Sequence, residues 1–152
     1  MRKPMLRLIS LVVCILFLQA CGSDPKSPWG FRLPDGDAVK GQALFVELQC
    51  NACHTIAELE LAAPAQRGPV AVVLGGPVAR VKTYGDLVSS VINPSHKLIF
   101  NYPEEDIARD GESLMRIYNE TMTVQQLIDL VAFLQPQYKV SLPQYSYYTF
   151  KY

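Results

Sequence analysis

The sequence predicts an all-α fold, because three segments repeat apolar residues with helical spacing and carry residues typical of helix boundaries. The segments are GQALFVEL at residues 41–48, TYGDLVSSVINP at residues 83–94 and MTVQQLIDLVAFLQP at residues 122–136. In each segment, apolar residues recur at intervals of three and four, which places them on one face of a helix. At 152 residues, the chain is long enough for one domain with a buried core.

Capping residues mark the start of the second and third predicted helices. Thr83 is a predicted N-cap with Asp86 at the third helical position, and Thr123 pairs in the same way with Gln126. In a capping box, the N-cap hydroxyl accepts a hydrogen bond from the third backbone amide, and the third side chain reaches back to the N-cap amide. Proline disfavours the helical conformation of the residue before it, so both helices are predicted to end before a proline: Pro94 and Pro136.

The N-terminus is predicted to be an export signal and not part of the fold. Basic residues in MRKPMLR precede LISLVVCILFL, an apolar run of eleven residues. A helix that spans a bilayer needs about 20 apolar residues, so this run is typical of a signal peptide. It ends in LQAC, which resembles a bacterial lipobox with Cys21 as the first mature residue and the site of lipid attachment. The alternative is an ordinary signal peptide cleaved near Ala20.

Lipid on Cys21 would hold the mature protein on the periplasmic side of a bacterial membrane, since two or more acyl chains anchor stably where one does not. The sequence leaves open whether this is the inner or the outer membrane. With a net charge of zero and no basic stripe, nothing indicates nucleic-acid binding. The predicted segments are the lipoprotein signal peptide 1–20, a Pro-rich tether 21–36, the main domain 37–138 and a Tyr-rich tail 139–152.

The motif CNACH, residues 50–54, carries the only two cysteines that the leader and the lipobox leave unexplained. In an exported protein, Cys50 and Cys53 could form a disulfide or a redox dithiol. A thioredoxin-like motif, however, opens a helix after a strand, whereas this one follows the first predicted helix. A zinc site would need a fourth ligand, and His96 is far away in sequence. The pattern C-x-x-C-H is that of c-type haem attachment, with His54 as the proximal iron ligand.

From about Asp37 to Tyr138, the chain resembles the small single-haem class I c-type cytochromes. The likeness begins with GQALFVELQCNACHTI and continues in RGPVAVVLGG, which is similar to the Gly-Pro loop of that family. The resemblance implies three to five helices around one covalent haem c, with the first and last helices crossing closely. Gly41 fits this crossing, because glycine costs about 1 kcal/mol relative to alanine inside a helix. The expected apolar partners at the crossing are Phe45, Leu130 and Phe133.

The resemblance also implies a role for the Gly68-Pro69 dipeptide. The family's proline carbonyl accepts a hydrogen bond from the proximal imidazole, so Pro69 would fix the ring of His54 and raise its basicity. A simple turn is the alternative.

The sixth iron ligand implied by the resemblance is a methionine in a loop before the last helix. Met122 and Leu127 occupy the two positions of a hydrophobic staple at the start of that helix, so Met122 is predicted to pack. Met115 lies seven residues earlier and is predicted to be the ligand. Arg116 follows it, where the family usually has proline. Met122, His96 or an open site are the alternatives.

Two further segments exceed the family core. FNYPEEDIARDGES, residues 100–113, is strongly acidic and is predicted to be a solvated loop, with a docking patch as the alternative. The tail is expected to pack along the domain as an extended cover.

Together these observations predict a membrane-anchored periplasmic electron carrier that uses one covalent haem c with His54 and Met115 as axial ligands. The chain shows no nucleophile–base constellation, so we expect no enzymatic activity and no small-molecule substrate. A terminal oxidase or a periplasmic dehydrogenase is the expected redox partner. The alternatives are a haem-based sensor or peroxidase-like protein with a labile sixth ligand, or a cytochrome subunit of a larger redox complex.

Overall fold

A computed structural model describes residues 33–141. This part of the chain forms four α-helices: α1 (Ala38–Glu47), α2 (Tyr84–Ile92), α3 (Glu104–Ile107) and α4 (Val124–Leu134). Three of them are the helices that the apolar spacing predicts, and the short α3 lies in the acidic segment. The predicted class, a small helical fold of the class I cytochrome type, is therefore confirmed.

Outside the helices, six short strands form three two-stranded pairs that the sequence did not predict. They are β1 (His54–Ile56) parallel to β2 (Val72–Leu74), β3 (Gly76–Val78) parallel to β6 (Tyr138–Val140), and β4 (Ala108–Arg109) antiparallel to β5 (Glu112–Ser113). Each strand has only two or three residues. A period of two cannot be recognised over so short a run, so these pairs depend on tertiary contacts.

Both predicted capping boxes are present. The hydroxyl of Thr83 accepts from the Asp86 amide at 3.1 Å, and that of Thr123 accepts from the Gln126 amide at 3.2 Å. In return, the Asp86 and Gln126 side chains accept from the amides of their N-cap residues. Helix α1 begins differently, since the carboxylate of its N-cap Asp37 accepts from two amides of the first turn. These bonds satisfy donors that a helix start otherwise leaves open.

The first and last long helices cross in close contact, as the resemblance implies. A Cβ at Gly41 would overlap the Asp129 carbonyl oxygen and lie 2.7 Å from Cβ of Phe133. The rings of Phe45 and Phe133 meet edge to face, with centroids 5.8 Å apart. Only glycine at position 41 lets the α1 and α4 backbones approach this closely. The core around the crossing also contains Ile56, Leu87, Val88, Val91, Leu127, Leu130, Val131 and Leu134.

A buried carboxylate ties the start of α1 to the middle of α4. Asp129 is 4% exposed, and its Oδ1 accepts from the Asp37 amide at 2.8 Å and from Nε2 of Gln125 at 3.0 Å. Hydrogen bonds to a charged group contribute about 1.5–3 kcal/mol each. Asp129 therefore fixes the relative position of the two helices together with Gly41.

The structure also describes the edges of the domain. Leu33 packs against the core, and a Cβ at Gly36 would lie 2.5 Å from the Ile128 carbonyl oxygen. Leu33 and Gly36, which the sequence assigned to the tether, thus lie against the domain. Lys139, assigned to the tail, lies in β6 opposite Pro77 of β3 and forms a salt bridge with Glu58 at 2.5 Å.

Several predicted features lie outside the described residues. The leader, the lipobox and most of the tether fall within 1–32, and most of the tail falls within 142–152. Their assignments stay predictions. None of the helices in residues 33–141 is long and apolar enough to cross a membrane.

Candidate functional site

The CNACH motif forms a compact turn directly after α1. Helix α1 ends at Glu47, Gln49 adopts a left-handed conformation with φ of 58°, and a 3₁₀ turn spans Cys50–Ala52. A left-handed residue commonly ends an α-helix because it redirects the chain. The Cys53 amide then donates to the Cys50 carbonyl at 3.2 Å. This turn places both cysteines beside His54, where β1 starts.

The segment that contains the Gly-Pro dipeptide supports this turn through backbone hydrogen bonds. The Gly68 amide donates to the Ala52 carbonyl at 2.9 Å, and the Val72 amide donates to the Cys53 carbonyl at 2.7 Å. His54 pairs with Val72 in the parallel β1–β2 ladder. A Cβ at position 68 would overlap the Cys53 sulfur. A side chain at this position would therefore displace the sulfur that the motif presents.

His54 is positioned as a neutral imidazole. Burial lowers the pKa of His54, and the nearby backbone of Val72 offsets part of this effect. A neutral imidazole is the form that binds a metal. Its Nδ1 is buried without a hydrogen-bond partner, so the bond to the carbonyl of the exposed Pro69 is not formed in this structure. The role of Pro69 stays a prediction.

No disulfide joins Cys50 and Cys53 in this structure, and both side chains are half-buried. Burial raises the pKa of Cys50 to about 11, and the negative charge of Cys53 adds to this rise. Redox-active dithiols such as those of thioredoxin-like proteins have lowered thiol pKa values. The shift at Cys50 is in the opposite direction.

A buried side chain inside the CNACH turn ties this turn to the segment that follows it. Asn51 lies between the two cysteines and is 6% exposed, and its Nδ2 donates to the Ala62 carbonyl at 2.8 Å. Its Oδ1 and the hydroxyl of Tyr84 are, like Nδ1 of His54, buried without a partner among the described residues. The sequence reasoning missed Asn51, since a residue inside C-x-x-C-H has no signature beyond its position.

The two methionines have different surroundings in the structure. Met115 is half-buried in an irregular segment after β5, and its amide donates to Oγ of Ser113 at 3.2 Å. Met122 packs against the core cluster that contains Leu127, which agrees with the staple. The assignment of Met115 as an iron ligand stays a prediction. His96, the alternative ligand, is exposed and bonds through Nδ1 to the Asn93 carbonyl at 2.7 Å.

The acidic segment is more ordered than the predicted loop. It contains the helix α3 and the β4–β5 hairpin, whose turn residues Asp110 and Gly111 both have positive φ. Just before α3, the hydroxyl of Tyr102 accepts from the Val73 amide at 3.3 Å and donates to the Ala71 carbonyl at 3.4 Å. These bonds hold the segment against the outer edge of β2.

Tyr118 joins the segment around Met115 (residues 113–121, the methionine segment) to the CNACH turn (residues 50–54, the attachment turn). The sequence did not predict this role. It is 8% exposed, and its hydroxyl donates to the Leu48 carbonyl at 2.7 Å. Burial raises the pKa of Tyr118, and the Cys50 sulfur contributes next. An aromatic residue inside a polar loop was the one available signal, but its partner lies 70 residues away.

These features fit a covalent c-type haem. Cys50, Cys53 and His54 follow one another in one turn, and the absence of a side chain at Gly68 leaves room for the Cys53 sulfur. Within residues 33–141, no group of three or more His, Cys, Asp or Glu side chains is close enough to hold a metal ion by itself.

Comparison with known proteins gives one finding. A family model described as "Cytochrome c" matches residues 38–137. No curated protein and no solved structure matches the chain. Because the matched region covers most of the chain and contains the CNACH turn, the protein belongs to the cytochrome c family and binds a covalent c-type haem, and the spacing of Cys50 and Cys53 is consistent with its attachment.

Proposed function

We propose that the protein is a lipid-anchored electron carrier on the periplasmic side of a bacterial membrane, with His54 and Met115 as the axial ligands of its haem iron. Membership of the cytochrome c family already supports haem-based electron transfer. The observation that carries the finer proposal is the pairing of the CNACH turn with a separate methionine segment, joined by the Tyr118 hydroxyl. Ligation by histidine and methionine raises the reduction potential of a haem.

Each residue of the proposed haem site would have its own role in electron transfer. When bound, the haem supplies one-electron cycling between Fe(III) and Fe(II). Cys50 and Cys53 would hold it covalently, and His54 would give the iron a neutral ring nitrogen. The β1–β2 pair fixes the backbone of His54 through Val72, so the strand that carries the imidazole ring is held in place. Met115 would supply a thioether, a soft ligand that favours Fe(II).

A carrier of this kind needs contact with redox proteins and no substrate site, so we propose that the protein is not an enzyme. A terminal oxidase or a periplasmic dehydrogenase is the proposed partner, either in transient contact or within a larger redox complex. A haem-based sensor or a peroxidase-like protein differs from an electron carrier in one property: the sixth coordination site of its iron is open or labile.

Carbon monoxide binding distinguishes these functions. The ferrous protein should bind carbon monoxide slowly or barely at neutral pH, because a methionine already fills the sixth site. The Met115→Ala variant is the positive control and should bind it fast and stoichiometrically. Fast, stoichiometric binding by the unaltered protein, or peroxidase turnover above that of a small cytochrome c, would overturn the carrier proposal.

The anchor is tested separately by cell fractionation. Cys21→Ser should move the protein from the membrane fraction to the soluble periplasm, with its haem content unchanged. Cys14→Ser, which alters a cysteine inside the apolar leader, is the matched control and should stay in the membrane fraction. A soluble unaltered protein would show that the LQAC segment is not a lipidation site.

A further inference from the structure

The hydroxyl of Tyr118 bridges two segments that the proposed site needs to keep together. It donates to the carbonyl of Leu48, the C-cap residue of α1, at 2.7 Å. The last carbonyls of a helix have no partner within the helix, so this bond satisfies a group that would otherwise lack one. Leu48 lies two residues before Cys50, and Tyr118 lies three residues after Met115. The bond therefore spans the two halves of the site by a short route.

Tyr118 is itself held in place from several sides. Its carbonyl accepts from the Thr121 amide at 2.9 Å and from the Met122 amide at 2.8 Å. The guanidinium of Arg116 lies 5.1 Å from the centroid of the tyrosine ring, which is a cation–π distance. Because the backbone and the ring are both fixed, the direction of the hydroxyl is fixed as well.

The other hydrogen bonds of the methionine segment lead elsewhere. The Ser113 amide bonds to Oγ of Ser95, and the Leu114 amide bonds to the Ile107 carbonyl. Further along, Nδ2 of Asn119 donates to the carbonyl of Ile92 in α2. Among the hydrogen bonds of the described residues, that of Tyr118 is thus the one that ties this segment to the helix leading into Cys50.

We propose that Tyr118 is a positioning residue for the sixth iron ligand, because its hydroxyl holds the Met115 segment at a fixed distance from the haem-attachment turn. This inference rests on the proposed function, in which Met115 binds the iron. Without the hydroxyl, the segment keeps its bonds toward α2 and the hairpin but loses its tie to α1. The methionine then leaves the iron more often, and a competing ligand binds in proportion to the open fraction.

The test is the affinity of the ferric, haem-loaded Tyr118→Phe variant for imidazole. Phenylalanine keeps the ring and the buried contacts and removes only the donor. Imidazole should bind about tenfold more tightly, which corresponds to about 1.4 kcal/mol and lies within the range for removing one partner of a buried hydrogen bond. Haem content should be unchanged, and the sulfur-to-iron charge-transfer band should persist without imidazole. An affinity equal to that of the unaltered protein would overturn the inference, even if the melting temperature falls.

Two further variants keep the test specific. Tyr102→Phe removes another hydroxyl that bonds to backbone, but at the outer edge of β2, and it should leave imidazole affinity unchanged. Arg116→Gln removes the cation over the Tyr118 ring and keeps the hydroxyl. It should therefore raise the imidazole affinity, as Tyr118→Phe does, but by a smaller factor. An equal shift in Tyr102→Phe would mean a general loosening and would overturn the inference.

Met115→Ala separates this inference from the proposed function. In that background, the Tyr118→Phe change should have no further effect on imidazole binding, because no methionine remains to be positioned. If Met115→Ala leaves the charge-transfer band intact, the proposed ligand itself is wrong. If Met115→Ala abolishes the band while Tyr118→Phe binds imidazole like the unaltered protein, only the positioning role fails.

Discussion

A single methyl group at the crossing of α1 and α4 is a direct test of the fold. In Gly41→Ala, the added Cβ would overlap the Asp129 carbonyl oxygen, and it would lie 2.6 Å from the carbonyl carbon of the same residue and 2.7 Å from Cβ of Phe133. Two of these three atoms belong to the α4 backbone, so no side-chain rotation relieves the contact. The two helices must move apart.

The structure gives the sign and the size of the effect. Alanine is favoured over glycine by about 1 kcal/mol in a helix interior, whereas overpacking a well-packed core costs typically about 1–3 kcal/mol and sometimes more. Separation of the helices would also weaken the Phe45–Phe133 contact and the hydrogen bond from the Asp37 amide to Asp129. We therefore expect the free energy of unfolding to fall by about 2 kcal/mol, given a steric cost at the upper end of that range.

Urea or thermal unfolding of the haem-loaded protein measures this change. For a domain of about this size, a loss of 1 kcal/mol lowers the melting temperature by about 4–8 °C. Gly85→Ala in α2 is the matched control, because no atom lies within 4 Å of its added Cβ, and it should leave stability unchanged or raise it. If Gly41→Ala is as stable as Gly85→Ala, the close crossing of α1 and α4 is refuted.

Three further predictions concern the methionines, the attachment turn and acid stability. Met115→Ala should abolish the sulfur-to-iron charge-transfer band and lower the reduction potential. Met122→Ala should keep the band and lower the unfolding free energy by at most about 2 kcal/mol, since the residue is only partly buried. The reverse pattern would contradict the assignment of Met115 as the ligand. Gly68→Ala should lower the haem-to-protein ratio of the purified protein, because its Cβ would occupy the place of the Cys53 sulfur; a full haem load would contradict this. Hydrogen bonding from Thr83 lowers the pKa of Asp86 below 3.8. The contribution of the Asp86 carboxylate to stability is therefore present above that pH and is lost as the pH falls through the lower folded-state pKa. Asp86→Asn should reduce the acid dependence of the melting temperature, and an unaltered acid profile would contradict the prediction.

Local sequence information predicted the helices well. The capping boxes at Thr83 and Thr123 involve residues three apart, so a short stretch of sequence contains both partners. The same holds for the CNACH turn, in which both cysteines and the histidine lie within five residues. Gly41 was interpretable because a glycine in a helix interior needs a tertiary reason, and the close approach of α4 supplies it.

Long-range polar contacts were not predictable in this way. Asp129 reads as one polar residue on an apolar helix, yet it is buried because the Asp37 amide, 92 residues earlier, donates to it. Tyr118 finds its acceptor 70 residues away at the end of α1. No periodicity or spacing rule connects such partners, since the connection exists only after the helices have packed.

The two halves of the proposed site are held by different kinds of bond, and this has a functional consequence. Around His54, the ties are mostly between backbone groups: the β1–β2 ladder and the amides of Gly68 and Val72. Around Met115, they are mostly made by side chains, among them the hydroxyl of Tyr118. Backbone bonds survive most substitutions, whereas a side-chain bond is lost with one change. We therefore expect single substitutions to alter the occupancy of the sixth ligand, and with it the reduction potential, while haem attachment and the proximal ligand stay intact.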